Sequence, residues 1–270
     1  MKLSLFNKEY DKCESDTSRV YMIEKYIYKS GLYAQQKKVL ESISSNDKVY
    51  IANSRQMGTS KLILEYLCCE LILSDSTNPL SIYIGSQSLK STDFLRNYLC
   101  EILEIVPIKL WAQKKRPQKG IYVISNKKCI ELYNGSKIYF GPIASEKIVG
   151  MNFTHVFIDC ASFVNEEKLN GFLLYTMLTP KIIMNGDRNI NPITLFIHKF
   201  KIEIMHWFYN PKYRKGLCLK CNADTFNIPE NTDDNVIDQY LNLSCDISSD
   251  WYKEMEKCFV GKKLIDNEIF

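Results

Sequence analysis

The stretch that most constrains this chain is Val49-Tyr50-Ile51-Ala52-Asn53-Ser54-Arg55-Gln56-Met57-Gly58-Thr59-Ser60-Lys61. An apolar, β-prone run enters a short polar turn. A second apolar run then follows, Leu62-Ile63-Leu64-Glu65-Tyr66-Leu67-Cys68-Cys69-Glu70-Leu71, and reads as a helix. Strand, tight turn and helix in that order make a phosphate-binding loop. In such a loop, backbone N–H groups and the positive end of the helix dipole converge on an anion. The standard motif ends Gly-Lys-Ser/Thr, whereas this one ends Gly58-Thr59-Ser60-Lys61. Either the lysine comes one step late or two positions are rewritten. Ser54, Arg55, Gln56, Met57, Gly58, Thr59, Ser60 and Lys61 are the candidate nucleotide contacts. Lys61 is the candidate to neutralise phosphate charge.

A second stretch supplies what such a loop needs opposite it. Thr154-His155-Val156-Phe157-Ile158-Asp159-Cys160 is an apolar run that ends in a carboxylate. This describes a central parallel strand with Asp159 at its C-terminal end, where open α/β sheets bind ligands. Asp159 and the Ser60 hydroxyl fit the two protein oxygens that share Mg²⁺ with a nucleotide. The residue after Asp159 is Cys160, at the place where many such ATPases carry a water-polarising glutamate. A thiol lacks the reach and charge of that carboxylate. Glu166 and Glu167 lie a few residues further on.

Ahead of the loop, residues 32–43 have the apolar spacing of an amphipathic helix. Gln36 and Tyr33 lie on it, and an amide can meet an adenine edge with both a donor and an acceptor. Residues 19–28 read as a short helix and 80–85 as a buried strand, with a helix over 91–105. The sequence Tyr133-Asn134-Gly135-Ser136 joins two apolar runs as a β-hairpin turn. Residues 181–187, 194–200 and 203–208 read as strand and turn, helix, and strand. Residues 210–235 are rich in Asn, Asp, Pro and Thr and read as loop. A last helix begins at Asp250.

Composition narrows the class. The 270 residues are 46% apolar, enough for one large α/β domain or two small ones. No run of eighteen apolar residues predicts a membrane helix. Met1-Lys2-Leu3-Ser4-Leu5-Phe6-Asn7-Lys8-Glu9 is too short and too charged for a signal peptide. The ten cysteines include the adjacent pair Cys68-Cys69 and form no disulfide framework, as expected of reduced thiols in a cytosol. Cys218 and Cys221 form a lone C-x-x-C, half of a zinc site. The net charge of +4 is mild, and the basic stretch Trp111-Ala112-Gln113-Lys114-Lys115-Arg116-Pro117-Gln118-Lys119-Gly120 is a candidate contact for a DNA backbone.

Together these pieces resemble the ATPase domain of the large terminase subunit, the genome-packaging motor of tailed phages and their relatives. Ser54-Arg55-Gln56-Met57-Gly58-Thr59-Ser60 is similar to that family's S-R-Q-x-G-K-[ST]. The Gly58-to-Lys61 ending is also similar to a deviant G-x-S-K form. Ile130-Glu131-Leu132-Tyr133-Asn134-Gly135-Ser136-Lys137-Ile138 resembles the hairpin ahead of Walker B. Residues Val149 to Phe163 resemble the Walker B segment, and Ser249 to Phe270 resemble the linker subdomain. The resemblance implies a P-loop NTPase fold of the ASCE type, a mostly parallel sheet flanked by helices, with a small C-terminal linker subdomain. It divides the chain into an N-terminal extension over 1–30, an ATPase-like domain over 31–205 and a linker over 206–270, without a nuclease domain. It implies ATP and Mg²⁺ as cofactors, with Gln36 toward adenine, Arg55, Gly58 and Ser60 in the loop, and Asp159 on the metal. It further implies partners: double-stranded DNA, the portal of a procapsid, a small terminase subunit, a separate nuclease subunit and further copies in a ring. The setting would be the cytoplasm of an infected host cell, transiently at the portal vertex, with no membrane. Thr59 for the loop lysine, Val149 for an arginine, Cys160 for the catalytic glutamate and Met184-Asn185-Gly186-Asp187 for a threonine-rich coupling turn depart from the pattern. These departures imply the alternative of a pseudo-ATPase, a binding scaffold without turnover.

Overall fold

The computed structural model describes residues 9, 12–13, 16–27, 31–54, 57–74, 76–105, 122–143, 148, 150–187, 190, 192–206, 218–221, 224–227 and 246–248. Arg55, Gln56, the basic stretch 111–120 and the helix expected from Asp250 lie outside them. In chain order the elements begin with helix α1 (Asp16–Met22), which passes into a π-helical turn (Ile23–Ile27). Helix α2 (Ala34–Ser45), strand β1 (Lys48–Asn53) and helix α3 (Thr59–Leu73) follow, then strand β2 (Ser81–Ser86) and helix α4 (Leu89–Ile105). Three strands come next, β3 (Tyr122–Ser125), β4 (Cys129–Leu132) and β5 (Lys137–Pro142). Strand β6 (His155–Ile158) leads through a 3₁₀ turn (Ala161–Phe163) to helix α5 (Glu166–Tyr175). Strand β7 (Lys181–Gly186), helix α6 (Pro192–Ile197) and strand β8 (Lys201–Met205) complete the main sheet.

That sheet has eight strands in the order β3-β4-β5-β2-β6-β7-β1-β8. Every pairing from β5 across to β8 is parallel, and the antiparallel pairs are β3 with β4 and β4 with β5. Strand β7 therefore lies between β1, which delivers the loop, and β6, which delivers Asp159. The three strands end side by side, with Ile51 paired to Asn185 and Ile158 to Met184.

Local chemistry accounts for the main boundaries. Helix α3 is apolar nearly all round and is buried along most of its length, as a central helix must be. Its N-cap is Gly58, whose φ of 74° places it in the left-handed region that glycine enters without steric cost. The Asn165 side chain caps α5 by accepting from the N–H of Lys168. The hairpin expected from Asn134-Gly135 forms. Gly135 takes a φ of 88°, and Asn134 accepts from the N–H of Ser136 while donating to Ser74 at the end of α3. The turn thus fixes both the β4–β5 register and its docking on the loop-bearing helix.

Apolar side chains bury on both sheet faces. Helices α1 to α4 cover one core, with Leu40, Ile43, Leu64, Leu67 and Leu99 inside. The other core, under α5 and α6, holds Tyr50, Phe153, Phe172 and Leu195.

Within 210–235, expected as loop, the described residues form two strands. Strands β9 (Cys218–Cys221) and β10 (Asp224–Asn227) pair antiparallel, and β11 (Asp246–Ser248) joins the other edge of β9. Pairing between neighbouring segments overrides their weak intrinsic strand preference. Helix α6 also stops three residues short of the expected Phe200, and β8 runs over 201–205 instead of 203–208.

Candidate functional site

The first turn of α3 delivers Ser60 to Asp159. Ser60 Oγ donates to Asp159 Oδ1 at 2.5 Å, joining residues 99 positions apart. Asp159 is only 7% exposed, so this charge-assisted bond meets a carboxylate largely withdrawn from water. The N–H of Asp159 donates to the carbonyl of Gly85, which fixes the end of β6 against β2.

Asn185, at the tip of β7, completes the group. Its Nδ2 donates to Ser60 Oγ at 3.2 Å, and its Oδ1 accepts the Cys160 N–H at 3.0 Å. One buried amide therefore ties the loop helix to the turn after Asp159. The next residue, Gly186, is dictated by space. A Cβ there would stand 2.7 Å from the Tyr50 hydroxyl and 3.0 Å from the backbone N of Ser162. Ser162 Oγ accepts from the N–H of Asp187, and the Tyr50 hydroxyl donates to the Asp187 carbonyl. Burial, then the charge of Asp187, pushes the Tyr50 hydroxyl up, so it stays a protonated donor. In the sequence reading Asn185 figures only within the Met184-Asn185-Gly186-Asp187 turn and carries no site role; the available signal was an amide at the C-terminal tip of a buried strand.

Thr59 occupies the first helical position after Gly58, where the standard motif has lysine. It is buried, and its hydroxyl donates to Met205 Sδ at 3.4 Å. The rewritten loop thus packs a small side chain against β8. Lys61 lies two residues further along the helix. Its Nζ is 2.6 Å from Glu24 and 3.6 Å from Glu65, so its charge is engaged by two acidic residues. Its expected phosphate role therefore meets a competing partner, because helical rotation carries the third residue of α3 toward the π-helical turn.

Tyr33 and Gln36 reach the loop as a pair. The Tyr33 hydroxyl donates to the Met57 carbonyl at 3.0 Å, and Gln36 Nε2 donates to the same oxygen at 3.3 Å. Gln36 Oε1 accepts from the N–H of Tyr33 at 3.3 Å. The amide expected to face adenine is here used as a brace that holds the loop against α2. Gln35 is buried and donates to the Ile204 carbonyl on edge strand β8. Ser54 is buried, and its N–H donates to the Met205 carbonyl.

Cys160 sits exposed beside this group with a φ of 55°, in the left-handed region. Its thiol points to Asp159 Oδ2 at 3.4 Å. Glu166 and Glu167 are exposed in the first turn of α5.

The Ser60 hydroxyl and the Asp159 carboxylate are hard oxygen donors in one place, suited to Mg²⁺ with water filling the remaining positions, while Asn185 turns its amide nitrogen toward Ser60. Ser60 and Asp159 are the residues that would hold such an ion. Among the described residues, no group of three or more His, Cys, Asp and Glu side chains could hold a metal alone. The Asp159–Ser60 pair would need a phosphate and water to complete a shell.

A loop strand and an acidic strand separated by one further strand, with Ser60 meeting Asp159 at their tips, define an α/β NTPase fold of the P-loop type. No family model and no curated protein matches the sequence. Among solved structures, the chain has the fold of phage large terminase ATPase domains. It is similar to the large terminase of bacteriophage HK97 at 15% identity and a TM-score of 0.50, over 68% of this chain. The chain spans 40% of the length of that protein. It is also similar to a mutant of the ATPase domain of the Thermus phage P74-26 large terminase, at 13% identity and a TM-score of 0.50. That match covers 91% of this chain and 95% of the domain. Among the described residues no helix is long and apolar enough to cross a membrane.

Proposed function

We propose that the chain is the nucleotide-binding motor module of a terminase-like DNA-packaging machine. ATP·Mg²⁺ would sit between the loop and Asp159. The observation behind this reading is the Ser60–Asp159–Asn185 group, which brings loop hydroxyl, acidic residue and strand-tip amide within hydrogen-bonding distance. The loop N–H groups and the α3 dipole would meet the phosphates. Ser60 and Asp159 would hold Mg²⁺, which when bound neutralises phosphate charge. Tyr33 and Gln36 would report nucleotide through the Met57 carbonyl that both hold. In this reading the division at about 30 and 205, the ring of copies, the DNA and procapsid partners and a separate nuclease subunit belong to the assembled motor.

Calorimetric titration with ATPγS and Mg²⁺ tests it. Saturable, Mg²⁺-dependent binding that Asp159→Asn abolishes supports the reading. Absence of binding to the folded chain, both as wild type and with Glu24→Gln removing the ion pair to Lys61, overturns it. ATP turnover in the presence of DNA and procapsids then tests the motor.

A second reading is favoured by Cys160 and Thr59. No carboxylate immediately follows Asp159 to orient water, and no lysine stands at the first position of α3. Losing groups of this kind costs about a thousandfold each in rate. The module would then bind nucleotide as a scaffold and leave hydrolysis to another chain. Tight binding without turnover supports this version, and multiple turnover by the isolated chain overturns it.

A further inference from the structure

Lys61 is the basic residue of the first turn of α3, and it is held from outside the loop. Helix α1 packs on α3, and the π-helical turn that continues α1 brings Glu24 to Lys61 at 2.6 Å. Glu24 is 4% exposed. Behind it lies Glu65, fully buried and one helical turn from Lys61. Burial first, then the neighbouring Glu24 charge, raise the Glu65 pKa to about 9, with Lys61 pulling the other way. Burial thus disfavours the charged form of Glu65, and Glu24 makes the shorter of the two acidic contacts of Lys61. A phosphate that drew Lys61 away would have to break its contact with the buried Glu24 carboxyl, which is unfavourable.

We propose that Glu24 of the N-terminal segment is an autoinhibitory latch on the nucleotide loop, holding Lys61 in an ion pair that a polyphosphate must displace. The inference rests on the reading that the loop binds a nucleotide. It adds that the N-terminal segment and the nucleotide compete for one side chain. By linkage, whatever loosens the segment tightens nucleotide binding, and nucleotide loosens the segment by the same factor. A purely structural ion pair would fix α1 on α3 without this coupling.

The test uses the full chain as wild type, Glu24→Gln, Glu24→Asp, Lys61→Gln and the Glu24→Gln/Lys61→Gln pair. Affinity for ATPγS with Mg²⁺ is measured by calorimetry, and amide hydrogen exchange is followed over residues 16–27. Glu24→Gln is expected to tighten binding about five- to tenfold, a typical coupling between sites. Adding Lys61→Gln should remove that gain. In the wild type, ATPγS should speed exchange over 16–27. If Glu24→Gln does not fold, Glu24→Asp retracts the carboxylate by one methylene and should give a smaller gain of the same sign. Binding by a folded Glu24 variant but not by the wild type also supports the latch. Unchanged or weaker affinity in folded Glu24 variants overturns it, as does exchange that ATPγS leaves unaltered or slows. Wild-type binding without a response to Glu24 defeats the latch alone. Absence of binding in every folded variant defeats the nucleotide reading and the latch together.

Discussion

Ser60 Oγ donates to Asp159 Oδ1 at 2.5 Å, so the loop helix and the acidic strand meet directly at the site. Asn185 donates to the same Ser60 oxygen. Ser60→Ala removes this meeting point. Asp159 and Asn185 would each lose a partner in a mostly dry site, at a cost of about 1–3 kcal/mol. Chemical denaturation should show that loss, and Mg²⁺-dependent affinity for ATPγS should fall at least tenfold. Ser60→Thr, which keeps the hydroxyl, should recover most of both.

Asn185 offers a sharper test, because its two ends do different work. Asn185→Asp keeps the acceptor for the Cys160 N–H and loses the donor to Ser60. It also places a second carboxylate near Asp159. Like charges in a buried site disfavour ionisation of both. The variant should lose about 1–3 kcal/mol at pH 7 and recover part of it as the pH falls and one carboxyl takes a proton. Asn185→Ala should lose stability without that recovery. Denaturation curves at pH 5 and pH 7 distinguish the two.

The chain's α/β order and the position of the site were legible because they rest on local pattern. The Val49-to-Ile51 run, Gly58 with its left-handed φ, the Asn134-Gly135 turn and Asp159 at a strand tip are each readable within about ten residues. The partners were not legible. Lys61 meets Glu24, 37 positions before it, and Ser60 meets Asn185, 125 positions after it. Such contacts depend on strand order, and only the order β6-β7-β1 places Asn185 between the loop and Asp159. Gln36 was readable as loop-proximal from its place on α2, yet its binding to the Met57 carbonyl was not, because an amide fits many partners. Strands β9 and β10 were missed because residue preference is weak evidence where antiparallel pairing decides.

Under the proposed motor function, Thr59→Lys with Cys160→Glu adds a phosphate ligand and a water-orienting carboxylate. Each change has a structural cost. Thr59 is buried against Met205, and Cys160 has a φ of 55°, where a branched or bulky side chain is disfavoured. The double variant should lose about 1–3 kcal/mol of stability. Its ATP turnover should nevertheless exceed that of the wild type at least tenfold in a coupled phosphate-release assay. Neither single change should reach the same rate, since the two groups act on one transition state. Cys160→Gly provides the control, relieving backbone strain by about 1 kcal/mol without adding a catalytic group.

Glu65 makes stability depend on pH in an unusual direction. Its folded pKa is raised to about 9 from the ordinary carboxyl value of 4.5, chiefly by burial. Below pH 4.5 both folded and unfolded chains hold its proton, and the group contributes no penalty. Between about pH 4.5 and 9 the unfolded chain releases the proton while the folded one keeps it. The unfolded state then binds fewer protons, so the Glu65 contribution falls as pH rises. Glu65→Gln is isosteric with the protonated form and cannot ionise. Its expected effect is a gain of about 1–3 kcal/mol over the wild type at pH 8, shrinking toward zero near pH 4.5. Urea denaturation of both proteins at pH 5, 6.5 and 8 measures the difference. A gap that grows with pH places the buried proton on Glu65. A constant gap would mean that the carboxyl is ionised in the folded chain and that Lys61 faces two anions.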